Sequence, residues 1–152
     1  MSTLEETLRR RVVVLDGAMG TMIQRHKLGE VDYRGARFAA HPRDIAGNSD
    51  ILVLTRPDVI GSIHEQYLDA GADVIETNTF GANRMKLRGF GLGDQVREIN
   101  LAGAILARRA VEKSGQPAYV AGAIGPLGVR IEPWGKTGVD EAEAMFREQA
   151  QA

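Results

Sequence analysis

The chain has 152 residues, 43% of them hydrophobic and 26% charged, which is the composition of a soluble globular domain with room for one sizeable core. Its 19 Lys and Arg against 20 Asp and Glu give a net charge of -1, so no general field favours nucleic acid or an anionic membrane surface. The absence of cysteine excludes disulfides and removes the usual thiolate ligands for zinc.

The first segment, MSTLEETLRRR, lacks the apolar centre of a signal peptide, and no apolar run approaches the roughly 20 residues of a bilayer span, so a cytoplasmic protein is expected. Thr3 and Glu6 have the spacing of a capping box for a short helix, with Leu4 and Leu8 on one side. That helix reads as a lid or a bottom plug. RVVVLDGA then reads as a buried parallel strand ended by a glycine turn.

About thirty residues from Gln24 to Leu54 separate this strand from its helix, far more than the usual few in a βα connection. Asp32, Tyr33, Arg34, Phe38, His41 and Asp44 mix aromatic with charged character there, which favours a packed flap. Thr55 and Pro57 then mark a helix start, Val59, Ile63 and Tyr67 carry a helical stripe, and Gly71 sits where a C-terminal glycine belongs.

A second strand follows in ADVIETNTFGAN, Ala72 to Asn83. Val96, Ile99, Gly103, Leu106 and Ala110 predict another amphipathic helix that stops near Ser114 and Gly115. The third strand lies in AYVAGAIGPLG, Ala118 to Gly128, and a last helix spans Val139 to Ala152. The β-α-β-α-β-α order predicts an α/β fold of parallel strands with right-handed crossovers.

Ligands of parallel α/β folds gather at the carboxyl ends of the strands. Those ends present Asp16, Gly17, Ala18 and Gly20, then Glu76, Asn78 and Thr79, then Gly122, Gly125 and Pro126. Asp16 suits an ammonium group, and the peptide N–H groups at Gly17 and Ala18 suit a carboxylate, so together they suit an amino acid. Asp16 could equally cap its turn through its own backbone. Glu76 and Asn78 share a strand face with Val74 and could wall the site or tie strand ends together by hydrogen bonds.

His26, His41 and His64 lack metal-ligand spacing, and His64 is expected to be partly exposed at the edge of its helix. Asn100 is expected to bond to a neighbouring loop, and Trp134 to seal its loop against the end of the sheet. No dinucleotide fingerprint, phosphate-binding Lys-Ser/Thr loop or nucleophile elbow is present.

LDGAMGTMIQ, NSDILVLTRPDVI, GADVIETNTFGAN and YVAGAIGPLG, in that order, resemble the homocysteine S-methyltransferase domain over most of residues 11 to 137. FAAHPRDIAGNSD looks most like the N-terminal module of cobalamin-dependent methionine synthases. GAIGPLGVRIEPWGKT also resembles homocysteine methyltransferases fused to a methylenetetrahydrofolate reductase. The resemblance implies an eight-stranded (β/α) TIM barrel that binds homocysteine at its strand ends and zinc through three cysteines.

Carried over, the substrate-holding turn falls on Asp16, Gly17 and Ala18, and the second-strand loop supplies Glu76, Asn78 and Thr79. No zinc ligand and no catalytic residue falls within the chain. A full barrel needs roughly 250 residues, so residues 1–152 are expected to form the N-terminal part of one, including the long first loop at about 24–54. Such a piece is expected to be inactive alone and to depend on the remainder of the barrel or a second chain.

The methyl donor is expected to be methylcobalamin, a methylated folate or S-methylmethionine. Two other readings remain: a non-catalytic binding or assembly module that completes a barrel with another chain, and a pterin-binding barrel suggested by AGADVIET alone. Neither nucleic acid nor membrane is an expected partner.

Overall fold

A short parallel ladder organises the chain, seen here in a computed structural model that describes residues 3–152. Helix α1 (Leu4–Leu8) begins with the expected capping box: the Thr3 hydroxyl accepts from the Glu6 amide at 3.2 Å, and the Glu6 carboxylate accepts from the Thr3 amide at 2.9 Å. Its Thr7 hydroxyl lies 2.9 Å from the hydroxyl of Tyr119, the first residue of a later strand. Helix α1 therefore sits at the amino-terminal side of the sheet, away from the strand ends.

The first predicted strand is reduced to a single parallel bridge between Leu15 and Val74. It is extended and correctly placed, since Val14 accepts from the amides of Asp73 and Val74 and the Asp16 amide donates to Val74 at 2.9 Å. The expectation that it is buried fails: Val12, Val14 and Leu15 are 84%, 53% and 51% exposed. The segment is paired along one edge only, so its apolar side chains lack neighbours on the other.

Helix α2 (Met19–Arg25) follows the glycine turn. Helix α3 (Glu30–Arg34) then opens the long insert, which ends in a 3₁₀ turn at Ser49–Ile51 and helix α4 (Leu52–Thr55). The insert is a packed flap, as expected. Ile45, Ile51 and Leu52 are fully buried, the Glu30 carboxylate accepts from the amides of Ile45 and Ala46 at 3.0 and 2.7 Å, and the His41 ring lies 2.8 Å from the Phe90 carbonyl.

Helix α5 (Pro57–Asp69) starts on a proline, whose missing N–H costs nothing in the first turn, and is closed by Gly71 at φ 95°. It feeds β1 (Val74–Glu76). Helix α6 (Arg84–Gly89) is capped by Asn83, whose side chain accepts from the Lys86 amide. Helix α7 (Val96–Ser114) ends at Gly115 in the left-handed region, as its sequence predicts. β2 (Tyr119–Ala121) and α8 (Val139–Ala150) complete the order.

β1 and β2 pair in parallel with Val74, Ile75 and Glu76 opposite Tyr119, Val120 and Ala121. With the Leu15 bridge on its other side, β1 is the central extended segment. The fold is α/β, and the helices cover the sheet as the crossovers require. One apolar cluster joins the flap to α5 and α7; a second, with Leu68, Ile75, Ala107 and Val111, fills the space between those helices and the sheet. A third holds α8 through Ala142 and Met145, and Arg84 pairs with Glu148 beside it.

Two further expectations are corrected. Trp134 is 82% exposed and seals nothing, because the turn around it folds on itself through the Glu132 amide and the Thr137 carbonyl. His64 is fully buried on α5, with neither ring nitrogen bonded among the described residues. It lies one residue beyond Ile63, so the apolar stripe of α5 is wide enough to take it inside.

Burial holds the His64 imidazole at about 4, below its ordinary 6.5, because the charged form is desolvated. Above pH 7 the ring is neutral in both folded and unfolded chains and contributes no pH dependence. Between 6.5 and 4 the unfolded chain takes up a proton that the folded one refuses, so stability is lost, by on the order of 3 kcal/mol at the lower end. Asp16, described below, acts in the opposite sense in this window. Urea denaturation of His64→Leu beside the wild type, from pH 7 to pH 4, isolates the histidine contribution, which should disappear in the variant; parallel curves would contradict it.

Candidate functional site

The strand ends meet at a cavity of about 660 Å³ whose walls include Asp16, Gly17, Ala18, Gly20, Glu76 and Asn78. That volume suits a small-molecule ligand. Asp16 reaches it because its own amide continues the ladder to Val74 while its carboxylate Oδ1 accepts from the Glu76 amide at 3.0 Å. The side chain thus caps the neighbouring strand instead of its own turn. Its second oxygen makes no hydrogen bond among the described residues.

Burial pushes the Asp16 carboxyl up to about 6; the Glu76 amide opposes that shift and the nearby Glu76 carboxylate adds to it. A carboxylate so poised gains strongly from a cation placed against it. Glu76 itself is exposed to the cavity. Asn78 plays the tying role instead, donating from Nδ2 to the Ser49 carbonyl of the flap at 2.7 Å.

Thr79 does not line this cavity. Its hydroxyl donates to the Ala123 carbonyl at 2.9 Å and lies 2.7 Å from that of Thr77, which accepts from the Ala123 amide. The two threonines bind the loop after β1 to the loop after β2. Gly103 explains how α7 fits behind them, since a Cβ there would stand 2.6 Å from the Thr79 methyl. Gly122, Gly125 and Pro126 also lie outside the main cavity, whose wall takes only Ala123 from that loop.

Sequence reasoning missed the part contributed by the flap. Asn48 and Asp50 line the same cavity, as do Phe80 and Lys86 from the other side. The Asp50 carboxylate accepts from the Gly81 amide at 2.8 Å, and a Cβ on Gly81 would lie 2.5 Å from its Oδ2. Desolvation raises the Asp50 carboxyl, against the Gly81 amide and the Lys86 charge. The Lys86 ammonium stands 5.1 Å from the Phe80 ring centroid, a cation–π contact at the cavity wall.

The available signal was GNSD: Asn48 accepts from the Asp50 amide as a turn-forming asparagine should. Only the folded flap brings it to the strand ends. Asn100 follows expectation, donating to the Ala82 carbonyl of the β1 loop at 2.9 Å. Among the described residues no group of three His, Cys, Asp or Glu side chains could hold a metal ion. No described helix is long and apolar enough to cross a membrane.

The sequence model of a family described as homocysteine S-methyltransferase matches residues 13–152. Two crystal structures of the homocysteine methyltransferase MmuM from Escherichia coli, one metallated and one oxidised, are 22% identical to the chain, with TM-scores of 0.71 and 0.72. The match covers 97% of this chain and 52% and 51% of those, so the chain spans about half their length. At that identity the likeness shows a shared fold, part of a TIM barrel.

The contact between the two strand-end loops is the tightest part of this site. Gly125 donates to the Phe80 carbonyl at 3.0 Å, and a Cβ on Gly125 would lie 2.4 Å from that oxygen. Backbone cannot yield there as a side chain would. Gly125→Ala should therefore destabilise the fold by about 2 kcal/mol. Urea denaturation measures it, and a loss below about 0.5 kcal/mol would show that the loops separate freely.

Proposed function

The chain belongs to the homocysteine S-methyltransferase family, and from that membership we propose that its cavity holds the amino-acid end of homocysteine for methyl transfer to the sulfur. In this reading the ammonium group pairs with Asp16, whose second oxygen is unbonded among the described residues, and Glu76 adds negative charge nearby. The amides of Gly17 and Ala18 take the carboxylate. The single observation that carries the reading is Asp16, buried with its carboxyl pushed up at the wall of a ligand-sized cavity.

Methyl transfer forms a carbon–sulfur bond, breaks the bond between methyl group and donor, and releases the thiol proton. Zinc bound by three cysteines, as the resemblance implies, would supply a deprotonated sulfur near neutral pH. The residues of this chain do not fit that metal, having no cysteine and no alternative cluster among those described. They account for holding the substrate, and Thr79 drops from the binding set in favour of a role behind the loop. The remaining units of an eight-stranded barrel, in the same polypeptide or another, would bring sulfur activation and the docking face for methylcobalamin, a methylated folate or S-methylmethionine.

A second reading, an assembly module that completes a barrel without catalysing, draws on the exposed apolar edge at Val12, Val14 and Leu15. Sedimentation together with homocysteine calorimetry separates the readings: a stable monomer with no ligand affinity would count against both.

Pairing with an ammonium requires ionised Asp16. Affinity for homocysteine should be full well above pH 6, about half at pH 6, and fall by up to about tenfold per pH unit below it, since the proton competes with the ligand. Asp16→Asn should lose about tenfold or more in affinity at pH 7.5 and flatten the acid limb, as read by calorimetry. Unchanged binding by that variant would remove Asp16 from the site.

A further inference from the structure

Three described side chains carry a buried polar atom without a hydrogen-bond partner: Asn48, His64 and Gln149. Only Asn48 lines the cavity that contains Asp16. It is 3% exposed, and its orientation is not arbitrary. Oδ1 accepts from the Asp50 amide at 3.2 Å, which directs the acceptor into the turn and leaves Nδ2 with two N–H groups and no partner. Exchanging the two ends of the amide would set N–H against N–H, so the bond to Asp50 fixes the assignment.

The surroundings hold that donor in place. The flap segment bearing Asn48 is anchored on both following residues: the Ser49 carbonyl accepts from Asn78, and the Asp50 carboxylate accepts from Gly81. Both partners belong to the loop that follows β1. A buried donor left unpaired is unfavourable by roughly 1–3 kcal/mol, and such groups in folded proteins are normally satisfied. An acceptor entering the cavity relieves that cost, which makes the donor selective for ligands that bring one.

We propose that Asn48 is a substrate-positioning residue whose amide donates to the carboxylate of the bound amino acid, beside the amides of Gly17 and Ala18. The inference rests on the function proposed above and extends it to the flap. It assigns the long insert a chemical part in the site: the insert carries a donor that recognises the amino acid as an acid, while Asp16 recognises it as an amine. A ligand with the same thiol and amine but no carboxylate should be blind to Asn48.

The test is isothermal titration of the full chain with homocysteine and with 3-aminopropane-1-thiol, its counterpart without the carboxylate. Asn48→Ser keeps an oxygen for the Asp50 amide and replaces the long amide donor with a short hydroxyl held in the turn; Asn48→Asp keeps the shape and replaces the donor with an acceptor. Thermal melts establish that each variant is folded. Both should weaken homocysteine about tenfold or more, and Asn48→Ser should change the affinity for the aminothiol less than twofold. Equal losses for the two ligands, or unchanged affinity for homocysteine, would overturn the assignment to the carboxylate while leaving the homocysteine reading in place. Wild-type chain that binds neither ligand would overturn both.

Discussion

Everything at the site hangs from β1. Val74 to Glu76 lie between the Leu15 segment and β2, and among the described residues Val74 alone has a parallel partner on each side, Leu15 and Tyr119. Parallel pairing aligns the carboxyl ends, so the turn after Asp16, the loop after Glu76 and the loop after Ala121 emerge together. The Asp16 carboxylate then bonds to the Glu76 amide one step past the last ladder bond. A one-residue slip would turn Glu76 away from the cavity and break the bond from its amide to Asp16.

The alternation along that loop divides its work. Glu76 and Asn78 line the cavity; Thr77 lines it too but bonds through its hydroxyl to the loop after β2, and Thr79 lies behind it against that loop and the glycine of α7. This accounts for what the sequence disclosed. Strand ends with glycines are strong local signals, and the helices over Pro57–Asp69 and Val96–Ser114 carry apolar stripes and glycine stops that predict them closely. Asp16, Glu76 and Asn78 were legible because a strand has a period of two and an end.

The flap was less legible, for a physical reason. Its position is set by tertiary bonds whose partners lie well over twenty residues away, such as Asp50 with Gly81 and Asn78 with Ser49. No local period encodes such contacts. The same holds for His64 and Trp134, whose burial and exposure depend on what packs over them, and for Val12 to Leu15, whose apolar character reads as buried although only one of their edges is paired. Periodicity reports which face of an element is apolar; it does not report whether another element arrives to cover it.

The ion pair below the sheet has a bearing on how the fold comes apart in acid. Asp73 accepts from both terminal nitrogens of Arg11 and from the Val14 amide, and Arg11 foremost holds its carboxyl down to about 2. The tie between the N-terminal segment and the start of β1 thus outlasts acidification that already charges the interior of α5 through His64. The sparsely covered edge, the weakest part by burial, therefore keeps its ion pair at acidities where the helical layer gains a buried charge.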